Sequence, residues 1–77
     1  MTISVIDPFT GKRFDNVPVP SVLMFGTEEK CVVWVLIGER SEWFKYRGPL
    51  TEEMRETLFT TRKNILHLGE KGMETIN

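Results

Sequence analysis

The stretch CVVWVLIG, Cys31 to Gly38, is apolar at its odd positions (Cys31, Val33, Val35, Ile37) and equally at its even ones (Val32, Trp34, Leu36). Successive side chains of a strand point to opposite sides, so a strand with this composition has two apolar faces, and both need cover. The reading is a central strand. The polar loop GTEEK links it to an apolar run at 21–25, and the turn GERS, 38–41, links it to EWFKY, 42–46, which together make a three-stranded antiparallel meander. Pro18 and Pro20 in VPVPSVLMF lack the N–H that a ladder needs, which places the 21–25 strand on an edge. Upstream, TISVI, 2–6, is a short β-branched strand stopped by Asp7-Pro8, and the turn chemistry of DPFTGK returns the chain through KRFDNV as a hairpin.

Beyond the strands, the pattern changes to that of a helix. Thr51 is a good N-cap, Glu52 and Glu53 suit the positive end of the helix dipole, and Leu68-Gly69 is a natural stop, with Lys63 and His67 in the C-terminal part. At 100° per residue, Leu50, Met54, Leu58, Ile65 and Leu68 fall within about 40° of one line. The expected fold is therefore α+β: a small antiparallel sheet of three to four strands, with strand 31–37 central and one C-terminal helix over about 51–68 on one face. Residues 1–69 form a single domain in this reading, and 70–77 a flexible tail.

With 77 residues, 40% hydrophobic and 27% charged, the chain can fold, but it is near the size at which a core needs help from a metal, disulfides or a second subunit. One cysteine forms no internal disulfide, which fits a reducing cytoplasm. No apolar run approaches the roughly 20 residues of a membrane span, and MTISVIDPFTGKRF lacks the basic and apolar regions of a secretory leader. A net charge of -1 offers no global field for nucleic acid, so any such binding requires a local patch.

Catalytic chemistry finds little support. Cys31 lies in an apolar run without the electropositive setting that activates a thiolate, and His67, the one histidine, has no partner at a meaningful spacing. Glu28-Glu29 and Glu52-Glu53 are sequence neighbours whose side chains point apart, and TGK, 10–12, lacks the rest of a phosphate loop. The expectation is a protein that is not an enzyme and needs no metal or cofactor.

Two features do suggest contacts. EWFKYRG interleaves three aromatics with Lys45 and Arg47, the composition of sheets that stack bases and touch phosphates, although Glu39 and Glu42 lie beside it. On the expected helix, Arg55, Phe59, Arg62 and Leu66 form a second seam at i, i+4, i+7 and i+11, away from the core line. A turn of even length at 38–41 puts Leu36 opposite Trp43 and Val33 opposite Tyr46. One helix is then expected to cover Cys31, Val33, Val35, Ile37, Phe44 and Tyr46, leaving Val32, Trp34, Leu36, Trp43, Lys45 and Arg47 on the other face.

The N-terminal arm, a second copy or a foreign protein could cover that face. The expectation is a homodimer through Val32, Trp34, Leu36 and Trp43, with the arm helping at the edge. The function this implies is a non-enzymatic protein-binding module, such as a small bacterial or phage-type regulator or inhibitor of a larger protein, with Arg55, Phe59, Arg62 and Leu66 as the partner-binding seam. The alternative is a nucleic-acid-binding protein using Trp43, Lys45, Tyr46 and Arg47, with Arg40 and Lys12-Arg13 on phosphates.

Overall fold

The structure, a computed structural model, describes residues 1–38, 43–60 and 64–76, with the side chain of Phe59 outside that description. Among the described residues the order is β1 (Thr2–Ile6), β2 (Arg13–Pro18), β3 (Ser21–Gly26), β4 (Cys31–Leu36), β5 (Phe44–Gly48), α1 (Glu52–Thr60), β6 (Asn64–Gly69) and β7 (Gly72–Thr75). The strands form a β1-β2 hairpin and a five-stranded sheet in the order β5-β4-β3-β6-β7. The fold is thus mostly β, and the expected α+β arrangement of a three- to four-stranded sheet under a helix over 51–68 is overturned at three places.

First, the middle of the sheet is β3, not strand 31–37, which as β4 lies between β3 and β5. Pro18 and Pro20 do not push β3 to an edge because both precede it, in the corner after β2. There the hydroxyl of the buried Ser21 donates to the Pro18 carbonyl at 2.6 Å. From Ser21 to Phe25 every residue is buried, the continuous pattern of a strand covered on both faces.

Second, among the described residues the helix is Glu52–Thr60 and does not reach 64–68. The Thr57 hydroxyl donates to the Glu53 carbonyl at 2.9 Å and that of Thr60 to the Thr57 carbonyl at 2.9 Å, side-chain bonds that compete with the backbone ladder in residues of weak helix propensity. Third, NILHLG is strand β6, parallel to β3 with Val22 beside Ile65 and Leu23 beside Leu66. Parallel neighbours need a long crossover, which here carries β4, β5 and α1. The stretch read as a tail carries β7, antiparallel to β6, and the Ile76 N–H donates to the Ile65 carbonyl at 2.7 Å.

A helix as short as α1 is marginal without tertiary support. Thr51 caps it, its hydroxyl accepting from the Met54 N–H at 3.2 Å, and the loop after β3 anchors it through the Leu50 N–H to the Glu28 carbonyl at 2.7 Å. Arg55 adds an ion pair with Glu28 at 2.5 Å. Leu58, Met54 and Leu50 then pack on a cluster of Val22, Met24, Cys31, Val33 and Ile65, which is one face of the sheet.

The opposite face is covered by the chain's own N-terminal hairpin. Val5, Phe14 and Val17 are buried against Leu23, Phe25, Val32, Leu36, Leu66 and Leu68. Phe14 and Val17 are three apart and would fall on opposite sides of a regular strand. The register of β1 with β2 steps from Ile3–Val17 to Val5–Phe14, so β2 holds one extra residue, and Asn16 takes a φ of 60° there. That bulge turns both side chains to the same side and makes the hairpin amphipathic.

Candidate functional site

The far end of the β4–β5 pair carries the surface features. Val33 stands opposite Tyr46, Trp34 opposite Lys45 and Val35 opposite Phe44, the register of an even-length turn. This pairing divides the aromatics between two sides. Towards the helix, Tyr46 and Val35 are half-buried against the core, whereas Phe44 is 56% exposed and Ile37, the residue after β4, is 47% exposed. Phe44 also begins β5, which ends the five-stranded sheet and presents an unshared strand edge among the described residues.

On the hairpin side, Trp34 and Trp43 line a cleft of about 440 Å³ with Ser4, Val5, Ile6 and Arg13. Trp34 is held from beneath by the edge of Phe25, with ring centroids 4.9 Å apart at 63°. Trp43 is oriented by its indole N–H, which donates to the Gly38 carbonyl at 3.3 Å. The Lys45 ammonium lies 5.1 Å from the centre of the Trp34 ring, a cation–π contact, and Lys45 and Arg47 are both exposed. At the hairpin rim, Asp15 accepts from the Ser4 hydroxyl at 2.7 Å and from Arg13 Nε at 2.9 Å. These two bonds, Ser4 first, hold the Asp15 carboxyl below its usual range.

A second cleft, about 620 Å³, opens between the hairpin turn and the β6–β7 end, where Asp7, Phe9, Lys12, His67 and Lys71 contribute. Its most buried polar group has a structural task, since the Asp7 carboxylate accepts from the N–H groups of Phe9 at 2.8 Å and Thr10 at 3.4 Å and so holds the turn. His67 lies on β6, not near a helix end, with Nε2 3.1 Å from the Gly26 carbonyl. No sequence signal joined Asp7 to a histidine sixty residues away; the β1–β2 turn and β6 belong to different sheets and come together where the hairpin packs on the five-stranded one.

The expected helical seam is dispersed. Arg55 is on α1 and paired with Glu28, Phe59 is on α1 with its side chain outside the described residues, Arg62 is outside them altogether, and Leu66 is in β6, 5% exposed. The four are therefore not a continuous helical flank. Of the residues expected to join two copies, Val32 and Leu36 are buried under the hairpin of the same chain, while Trp34 and Trp43 are half-buried and border the cleft. The apolar face that motivated a homodimer is filled from within. Of the residues expected at nucleic acid, Trp43, Lys45 and Arg47 share the hairpin side, joined by Arg13, while Tyr46 faces the helix with its hydroxyl donating to the Pro49 carbonyl at 2.7 Å. Arg40 lies outside the described residues.

Among the described residues, no group of three or more His, Cys, Asp or Glu side chains could hold a metal ion. Cys31 is 1% exposed, its thiol donates to the Gly48 carbonyl at 3.1 Å, and burial pushes its pKa up, so the thiol stays protonated at neutral pH. At pH 8 a disulfide reagent should modify native Cys31 at least about 100-fold more slowly than the denatured chain, because reaction requires an opening of about 2.7 kcal/mol or more. Equal rates would place the thiol at the surface. No helix is long and apolar enough to cross a membrane among the described residues. Comparison with protein-family models, curated proteins and solved structures finds no match to this chain.

Proposed function

We propose that this chain is a non-enzymatic protein-binding module that occupies a surface of a larger protein, and that it docks through the open edge of β5 and the apolar pair Ile37 and Phe44 beside it. The observation that carries this reading is the 56% exposure of a phenylalanine at the start of an edge strand, next to an isoleucine 47% exposed. Both side chains lie beyond the cover of α1, and neither is needed by the core. An edge strand offers backbone donors and acceptors to an incoming strand, while exposed large apolar side chains supply the anchors that give such contacts most of their energy. A regulator or inhibitor that works by occupancy needs no more than this.

Phe44→Ala tests it. The melting temperature should stay close to wild type, because the side chain contributes little to the core. Affinity for a protein captured by the wild-type chain should fall about 10- to 100-fold, the loss of a typical anchor of about 1.4 to 2.8 kcal/mol. A captured protein held equally well by the variant sinks the assignment to this edge.

A further inference from the structure

On the other side of the same strand pair, the structure assembles groups that lie far apart in the chain. Arg13 from β2, Trp34 from β4 and Trp43, the residue before β5, line the cleft between hairpin and sheet, and Lys45 and Arg47 lie beside it on the same side of β5. We propose that this cleft binds single-stranded nucleic acid, one base stacking on the Trp43 indole and the flanking phosphates resting on Arg13, on Lys45, whose ammonium lies over the Trp34 ring, and on Arg47.

Three observations converge on that ligand. A cleft of about 440 Å³ is the size of a small-ligand site and suits one nucleotide unit rather than a duplex, in which the faces of the bases are stacked away. Trp43 is prepared rather than loose, tethered to Gly38 and flanked by a Trp34 that Phe25 braces, so stacking on it orders little that is not already ordered. Beyond the cleft, Lys45 and Arg47 follow Trp43 at every second residue on the same side of β5, about 7 Å apart along the strand. From Lys45 over the Trp34 ring to Arg47 beyond it, the cationic track runs away from Trp43, as a polymer requires and a free nucleotide does not.

Among the described residues, one carboxylate bonds to a member of this track. Asp15 is bound by Arg13 and Ser4, so it offsets part of the Arg13 charge, and two or three phosphates are the number the site can neutralise. That count sets a measurable slope. For single strands, log Kobs should fall against log salt with a slope of about -1.4 to -2.1.

The protein carries its own probe, since its two tryptophans are the two that line the cleft. Titration of the full chain with a ten-nucleotide oligothymidylate should quench tryptophan fluorescence with that salt slope. The triple variant R13Q/K45Q/R47Q, in which only exposed side chains change, should weaken binding at least tenfold and flatten the slope. Its unchanged thermal melt would show that the fold is intact. Thymidine monophosphate should quench far more weakly than the oligomer, and a decaglutamate of similar charge should not quench. No quenching by the oligomer, equal affinity for the monophosphate, equal quenching by decaglutamate (an acidic peptide site) or an unaffected triple variant each overturns the proposal. Phe44 points to the opposite side, so none of these outcomes bears on the protein-docking edge, nor does its failure bear on this cleft.

Discussion

Phe25→Ala is expected to destabilise the chain by about 3 to 5 kcal/mol, lowering the melting temperature by more than about 12 °C. Phe25 is fully buried on the central strand, and its ring lies between Trp34 and the N-terminal hairpin residues of the same cluster. Its removal leaves a cavity where β3, β4 and the hairpin meet, and two strands bonded to β3 cannot move in to fill it without breaking ladders. A domain of this size has total stability near the lower end of about 5 to 15 kcal/mol, so the loss is a large part of the whole. Phe44→Ala serves as the control, since an exposed side chain should cost no more than about 0.5 kcal/mol. Similar melts for the two variants would contradict a core built on β3.

Leu66→Glu is expected to abolish folding. Leu66 is on β6, beside Leu23 and in the cluster with Val5, Phe14 and Val17, where a carboxylate has no cationic partner among the described residues. An unpaired buried charge costs several kcal/mol, comparable to the full stability of a small domain. Asn64→Glu, two residues earlier on the same strand, is exposed and should be tolerated. Circular dichroism separates the cases: a cooperative melt for the 64 variant and none for the 66 variant. On a helix running to residue 68, Leu66 would lie on the outer flank and accept glutamate readily, so a well-folded Leu66→Glu chain would contradict strand β6.

That second contrast shows where local pattern ceased to decide. In ILHLG, 65–69, Ile65 and Leu68 satisfy a helical line with Leu50, Met54 and Leu58 and equally the core of a doubly covered strand. Parallel pairing with β3 settles it, through contacts more than forty residues apart. The threonines late in α1 and the Gly69–Gly72 pairing of the β6–β7 hairpin were the available signals, outweighed by the coincidence of period.

The N-terminal hairpin, the β3–β4–β5 meander and the Thr51 cap were all legible, because each depends on neighbours in sequence: turn residues, alternation, a capping hydroxyl. So were the two apolar faces of Cys31–Leu36 and the need to cover both. Which element supplied the second cover was not legible. A helical spacing of Phe14 and Val17 in a strand gives no amphipathic signal until the bulge at Asn16 brings them to one side. The cleft was out of reach for the same reason. Trp34, Trp43 and Arg13 become neighbours only when the hairpin folds down on the sheet, and burial of apolar surface acts between whatever elements can reach one another, without regard to their order in the chain.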